Sequence, residues 1–163
     1  MAAKYTFPFH LPKTYYRAIG EVAARWSLFE LQVLMAIRDI LRMDAKQGRI
    51  LIQGMATRPR LAILKALANN WVTDGKLKKE IIAIVQESVK FANDRNGLAH
   101  GVWGYKSNKL ALCLIHMHEP QHRWLPKAER ITSQQILAKA QTILMLDKRL
   151  WRAIQALKAS YTP

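Results

Sequence analysis

The feature that most constrains the fold is the spacing of apolar residues between positions 14 and 43. Steps of three and four residues place side chains on one face of an α-helix, which has 3.6 residues per turn. A helix with one apolar face is stable when other elements cover that face. The segment therefore predicts a bundle built around a long first helix, which we expect to end in MDAKQGR with Gly48 as a late helix breaker. Its apolar face would hold Ile19, Val22, Trp26, Phe29, Val33, Ile37 and Ile40.

Three later segments carry the same helical period and complete the predicted bundle. A short helix is expected from about Pro59, because proline fits the first turn, and its apolar residues are Leu61, Leu64 and Leu67. The third helix is expected after Thr73 or Asp74, since either side chain can cap exposed helix amides. The last helix opens with the capping-box spacing of Thr132 and Gln135 and runs to about residue 157.

A small β-hairpin is predicted between the third and last helices. The segments GVWGY and KLALCLIHMH flank KSN, and leucines alternate with other residues at Leu110, Leu112 and Leu114. Residues 1–13 contain two prolines, which oppose an early helix, and are expected to form an extended arm. The sequence thus predicts an all-α fold, a four- to five-helix bundle with a small β-hairpin inserted before the last helix. We expect two parts, an N-terminal arm (1–13) and a single helical domain (14–163).

The charge of the chain indicates a polyanionic partner. Twenty-six Lys and Arg oppose eleven Asp and Glu, which gives a formal net charge of +15. Such a surface attracts nucleic acid or an acidic partner protein, although the charge could also serve solubility or docking on anionic lipid. The longest apolar run has six residues and there is one cysteine, Cys113. Because a bilayer span needs about 20 apolar residues, we expect no membrane association and a soluble, cytoplasmic protein.

The stretch FANDRNGLAHG, residues 91–101, holds the strongest candidate site. The apolar face of the third helix leads directly to Arg95, where an unpaired charge would be costly. On an ideal helix Arg95 and His100 stand about 140° apart. They would converge if the helix bent or ended at Gly97 or Gly101, or if a second chain supplied the partner residue. A purely structural alternative is a helix end, with Arg95 paired to a carboxylate and with Asn96 and Gly97 as stop signals.

The segment DRNGLAHG resembles the motif of HEPN-domain proteins, in which an arginine, a polar residue, three further residues and a histidine follow in order. The resemblance extends to a helical plan over about residues 14–157. It implies a metal-independent endoribonuclease that acts as a homodimer with two motifs facing one cleft, or a relative that only binds nucleic acid. Arg95 would then stabilise the phosphate, His100 would shuttle the proton, and Asn96 would orient His100 or bind phosphate. The expected products carry 2′,3′-cyclic phosphate ends.

Other residues are candidates for supporting roles. Glu30 borders the apolar face of the first helix and could neutralise Arg95 or His100, or simply pair locally. Basic residues around the motif, Arg58, Arg60 and Lys106, are expected to hold the RNA backbone. Trp103 could line the cleft for RNA or pack beneath the hairpin, whereas Trp26 and Trp151 are expected in the core.

No cofactor or metal is expected, because no nucleotide-binding or zinc-protease motif is present. His116, His118 and His122 have spacing that could bind zinc, but solvated hairpin histidines are the simpler interpretation. The leading function is thus a HEPN-type endoribonuclease, which could belong to a toxin or defence system. The alternative is a non-catalytic helical dimer that binds nucleic acid or an acidic antitoxin-like protein. A third interpretation makes the motif structural only.

Overall fold

A computed structural model of the chain describes residues 5–6, 10–52, 54–106, 112–116 and 127–160. Within these ranges it has five helices: α1 (Lys13–Ile40), α2 (Ala45–Ile52), α3 (Thr57–Trp71), α4 (Gly75–His100) and α5 (Ser133–Ser160). The same ranges hold four short strands: β1 (Tyr5–Thr6), β2 (Val102–Lys106), β3 (Leu112–His116) and β4 (Lys127–Arg130). The predicted all-α bundle with a small hairpin before the last helix is confirmed.

Helices α1 and α5 form the centre of the bundle and run in the same direction. Near their starts, the Tyr15 hydroxyl donates to the carbonyl of Ile131 at 3.0 Å. Near their ends, Lys158 Nζ lies 3.4 Å from the Asp39 carboxylate. The predicted apolar face of α1 is buried between these points, apart from Ile19, which is half-buried. The buried members of that face are Val22, Trp26, Phe29, Val33, Ile37 and Ile40.

The tryptophans divide between the core and the surface. Trp26 is buried, as predicted, and its indole packs against the ring of Phe29 with centroids 5.5 Å apart. The prediction for Trp151 is wrong, because this side chain is 53% exposed. The buried positions around it are Leu150, Ala153 and Ile154, so Trp151 lies just outside the buried stripe of α5. Steps of three or four residues between apolar side chains therefore do not show whether a residue at the edge of the apolar stripe is buried.

The segment after α1 differs from the prediction that it simply ends the first helix at Gly48. Helix α1 ends at Ile40, and a separate helix follows, in which Asp44 and Gln47 cap each other through bonds of 2.8 and 3.0 Å. Gly48 lies inside α2 and is buried. A Cβ at this position would stand 3.0 Å from Cγ of Arg38, so the glycine permits close packing of α2 on α1. Close approach, rather than helix breaking, explains this residue.

Helices α3 and α4 form an antiparallel hairpin joined by residues 72–74. Asp74 caps α4 as predicted, since its carboxylate accepts hydrogen bonds from the backbone amides of Lys76 and Leu77 at 2.7 and 3.0 Å. These bonds lower the pKa of Asp74. Because the connection is short, the start of α3 lies beside the end of α4, which places the motif next to Arg58 and Arg60.

The strands form one small antiparallel sheet in the order β1-β2-β3-β4. Strands β2 and β3 make the predicted hairpin, with a register from Val102 opposite Ile115 to Tyr105 opposite Leu112. Strand β1, which lies within the predicted arm, pairs with β2, and β4 pairs with β3. The tip of the hairpin with Leu110 lies outside the described residues, as do the side chains expected to alternate in β3. No helix among those the structure describes has the length and apolar character to cross a membrane.

Candidate nucleic-acid interface at the end of helix α4

The motif lies in a helix that continues without a break through His100. Gly97 is inside α4, and Gly101 caps the helix while its amide donates to the carbonyl of Gly97 at 2.8 Å. The helix therefore does not bend between the two motif residues. Arg95 and His100 stay about 140° apart around the axis, on different sides of one helix. Of the two routes by which they could converge, only a second chain remains.

Arg95 has no carboxylate partner among the described residues. Its Nε atom is buried and makes no hydrogen bond, while Nη1 donates to Oδ1 of Asn96 at 3.0 Å. The neighbouring acid, Asp94, is paired with Lys139 of α5 instead. The helix-end alternative requires an ion pair for Arg95, and the described part of the chain provides none. The guanidinium thus retains donor groups suited to an anion.

His100 and Asn96 occupy the exposed side of the end of α4. Both side chains are exposed, and His100 is the last residue of the helix. The amide oxygen of Asn96 accepts from Arg95, so in the described structure Asn96 positions the guanidinium rather than the imidazole.

Arg58 and Arg60 lie at the same end of the α3–α4 hairpin as the motif. Arg58 Nη2 donates to Oδ1 of Asn93, two residues before Arg95. Arg60 resembles Arg95 in having a buried Nε atom without a hydrogen-bond partner. No acidic residue lies in the first turn of α3, and Ala56 provides no side-chain cap. Arg58 and Arg60 stand at the positive end of the α3 dipole, which adds to their attraction for a phosphate, while the Glu30 carboxylate reaches Thr57 at the same end.

Glu30 lies where α1 meets α3. Its Oε1 atom accepts hydrogen bonds from Nε1 of Trp26, at 2.9 Å, and from the hydroxyl of Thr57. Among the described residues no ion pair joins Glu30 to Arg95 or His100. These contacts agree with the alternative in which Glu30 pairs with its neighbours. Glu30 therefore links α1 to α3.

Trp103 and Lys106 lie on strand β2. The Trp103 ring is half-buried and stands edge-on to Tyr15, with ring centroids 5.7 Å apart. This contact corresponds to the packing role that the sequence analysis weighed against a place in the cleft. Lys106 pairs through its backbone with Tyr5 in the sheet, while its side chain lies outside the described part of the structure.

Sequence reasoning missed Asn93, which the structure brings into contact with Arg58. Val89, Asn93 and Asn96 recur at steps of four and three residues, so they share one side of α4. That side faces α3, as the Arg58 contact shows. The helical spacing of these residues therefore predicts that they share one side of α4, as the spacing of the apolar residues does for the buried face.

The proposed zinc alternative for the hairpin histidines falls largely outside the described residues. His118 and His122 lie there, and of His116 only the backbone in β3 is described. Among the residues that are described, no group of three His, Cys, Asp or Glu side chains is arranged to hold a metal.

Comparisons with known proteins return no match: no family model, no curated protein and no solved structure is significantly similar to this chain. The resemblance to HEPN domains accordingly depends on the motif and on the order of the helices. The functional interpretation must come from the chemistry of the residues around Arg95.

Proposed function

We propose that this chain is a HEPN-like, metal-independent endoribonuclease that acts on RNA as a homodimer. The observation that carries the proposal is the Arg95 guanidinium, whose Nε atom is buried without a partner and whose Nη1 atom is held by Asn96. An arginine kept in this state at the end of a basic helical hairpin has a cost in stability. A phosphate would bind the donors of the terminal guanidinium nitrogens that Asn96 leaves free.

The chemistry follows from the residue types at the end of α4. Arg95 binds the oxygens of the scissile phosphate and stabilises the charge that develops on phosphorus. His100 of one copy accepts the proton of the 2′-hydroxyl, whose oxygen attacks phosphorus. The bond from phosphorus to the 5′-oxygen breaks as His100 of the second copy donates a proton to that oxygen. The products are a 2′,3′-cyclic phosphate and a 5′-hydroxyl.

A homodimer is needed because one straight helix presents Arg95 and His100 on different sides. His100 is exposed at the last position of α4, where a second copy could approach it. Pairing the C-terminal ends of two α4 helices would bring two histidines and two arginines to one phosphate. A cytoplasmic toxin or defence enzyme, restrained by an acidic antitoxin-like protein, suits this activity and the charge of +15.

A second candidate function is binding of nucleic acid without cleavage. The same separation of Arg95 and His100 on one helix favours it, because a single chain then offers a phosphate site without an adjacent proton shuttle. In that case His100→Ala would leave RNA affinity unchanged, and the affinity would fall steeply with salt as phosphate contacts release counterions.

The deciding experiment incubates the purified protein with total RNA in EDTA and identifies the ends of the products. The variants are Arg95→Ala, His100→Ala and, as a matched control, His10→Ala, which removes an exposed histidine outside the motif. We expect the parent and His10→Ala to leave cyclic phosphates, and the two motif variants to leave RNA intact. Intact RNA with a folded, dimeric parent would reject the ribonuclease and favour the binding function.

Mixing the parent with His100→Ala tests whether two histidines share one cleft. If they do, only dimers with two parent chains cleave, so activity falls as the square of the parent fraction after the chains exchange. If each chain acts alone, activity falls in direct proportion to that fraction. Proportional loss would contradict the shared cleft even if the protein is a ribonuclease.

A further inference from the structure

Exposed apolar side chains line the outer face of α1. Leu28 is 61% exposed and Leu31 is 52% exposed. At 100° per residue these two positions, the exposed Ala24 and the half-buried Met35 fall within an arc of about 60° around the helix axis. Single exposed apolar side chains are normal on a protein surface, whereas several on one side of a helix indicate a contact surface.

Helix α5 extends this surface with an exposed tryptophan. Asp39 lies about 20° from Leu28 around the axis of α1. Its ion-pair partner on α5, Lys158, lies about 20° from Trp151 around the axis of that helix. The sides of the two helices that carry Leu28 and Trp151 therefore adjoin each other. Leu144, which is half-buried, lies about 20° from Trp151 on the same side.

The apolar groups of the two helices also stand at the same height. The helices run in parallel, and the contacts near their starts and ends join residues that are 116 and 119 positions apart in the chain. Trp151 is therefore level with positions 32–35 of α1, and Leu144 with positions 25–28. We call the surface formed by these groups the α1–α5 groove; its residues are Leu28, Leu31, Met35, Leu144 and Trp151.

Unpaired cations border the α1–α5 groove. Three exposed basic residues beside it or in line with it make no ion pair with a described residue, and they are Arg17, Lys148 and Arg152. The carboxylates of Glu21 and Asp39 at the edge of α1 are already paired, with Arg25 and with Arg38. The border of the groove therefore attracts acidic side chains.

Asp147 is the exception to this pattern. It lies about 40° from Trp151 on the side toward α1, and its side chain is half-buried. It makes no ion pair with any described residue, and partial burial disfavours its charge. A carboxylate beside an apolar surface gains from one cation placed opposite it, and a lone polar group in a contact between helices fixes the register of the partner.

We infer that the α1–α5 groove binds an amphipathic helix of another protein, with acids along its edges and one cation opposite Asp147. Two neighbouring parallel helices leave room for a third, which packs at about 8–10 Å from each. A second copy of this chain fits less well, because it would bring Lys148 and Arg152 of both copies to one interface. The inference does not depend on the proposed function, since the groove contains no motif residue.

The test measures binding of labelled helical peptides to the full chain by fluorescence anisotropy. The first peptide has about three heptads with leucine at the a and d positions, glutamate at the edges and one central lysine. In the second peptide lysine replaces every glutamate. We expect the acidic peptide to bind and the basic one not to bind, because the border of the groove is positive.

Replacing the tryptophan tests the location of the contact. Trp151→Ala is compared with Trp71→Ala, a matched control that removes a 57% exposed indole at the end of α3. We expect Trp151→Ala to weaken binding of the acidic peptide about thirtyfold, as for a central aromatic residue of an interface. Trp71→Ala should bind like the parent. Leu28→Gln is a second variant in the groove and decides the question if Trp151→Ala fails to fold.

Asp147→Asn tests the register of the bound helix. It should weaken binding of the acidic peptide about tenfold, but leave unchanged the affinity for a version whose central lysine is glutamine. Equal loss with both versions would overturn the role of Asp147. Binding of vesicles of anionic phospholipid in place of the acidic peptide, or self-association in sedimentation, would assign the groove to another occupant if Trp151→Ala abolished it.

Three peptide results would overturn the inference altogether. They are failure of the parent to bind the acidic peptide, equal affinity for the basic peptide, and equal loss of affinity in Trp71→Ala and Trp151→Ala. None of them affects the ribonuclease proposal, which is judged by cleavage in the parent and its loss in His100→Ala.

Discussion

Replacing Arg95 by methionine should stabilise the protein while abolishing the cleavage of RNA. Arg95 buries its Nε atom without a hydrogen bond and has one polar contact, from Nη1 to Asn96. Methionine keeps an unbranched apolar stem of similar helix propensity and has no donor to satisfy. A residue retained for phosphate binding at the expense of stability predicts this pair of opposite effects.

The magnitude follows from the groups that change. A buried unsatisfied donor costs about 1–3 kcal/mol, and the exposed bond to Asn96 contributes about 0.5–1 kcal/mol. The difference leaves Arg95→Met more stable by about 1 kcal/mol. For a domain of this size that corresponds to a rise in melting temperature of about 2–4 °C. Urea denaturation followed by circular dichroism measures the change in unfolding free energy directly.

Arg149→Met is the matched control, because the same chemical change should have the opposite sign. The Arg149 guanidinium on α5 bonds to Glu80 at 2.7 and 3.3 Å and to both carboxylate oxygens of Glu87 at 3.0 Å. These carboxylates raise the pKa of Arg149. Removing the charge leaves two acids facing α5, and with partial exposure this costs about 1–2 kcal/mol. If Arg95→Met destabilised the protein as much as Arg149→Met, Arg95 would be a structural residue and the reasoning would fail.

Two further predictions concern the core and the pH dependence of stability. Trp26→Ala should cost about 3–5 kcal/mol of unfolding free energy, because it empties a site buried against Phe29. Trp151→Ala, at an exposed position, should change the unfolding free energy by at most about 0.5 kcal/mol. Equal effects in urea denaturation would contradict the assignment of Trp26 to the core. Partial burial raises the pKa of Asp147, so the folded state holds this proton more tightly and stability falls as pH rises through the unfolded and then the folded pKa. Asp147→Asn should therefore raise the denaturation midpoint at neutral pH and lose that advantage below the ordinary aspartate pKa of about 3.9; an equal gain at both pH values would refute it.

The sequence predicted the helices because their signals are local. The apolar period of α1, the Asp74 cap and the mutual hydrogen bonds of Thr132 and Gln135 each involve residues a few positions apart. The α2 helix was missed because Gly48 looked like a breaker when its purpose is contact with Arg38, which only the folded chain reveals.

The position of Arg95 on its helix could be predicted from the sequence, but the contacts of the candidate site could not. The helical face of α4 correctly led to Arg95, yet the continuity of the helix through Gly97 depends on packing that spacing does not encode. The role of Glu30 could not be read from α1 alone, because its partner Thr57 lies 27 residues further along the chain. The distant partners of polar side chains depend on how the helices pack, so the spacing of residues in the sequence does not predict them.

The positions of the acids on α4 explain why one side of this helix carries no negative charge. The acids of α4, Glu80, Glu87 and Asp94, recur every seven residues and lie on one face. That face packs toward α5, where Arg149 and Lys139 form ion pairs with all three. The side toward α3 carries Lys78, Asn93 and Asn96 and no acid, so the cations of the hairpin have nothing on their own helix to pair with. A polyanion approaching the bundle is therefore attracted to the side of α4 that carries Asn93 and ends at His100, whereas Arg95 lies about 160° from Asn93 around the helix.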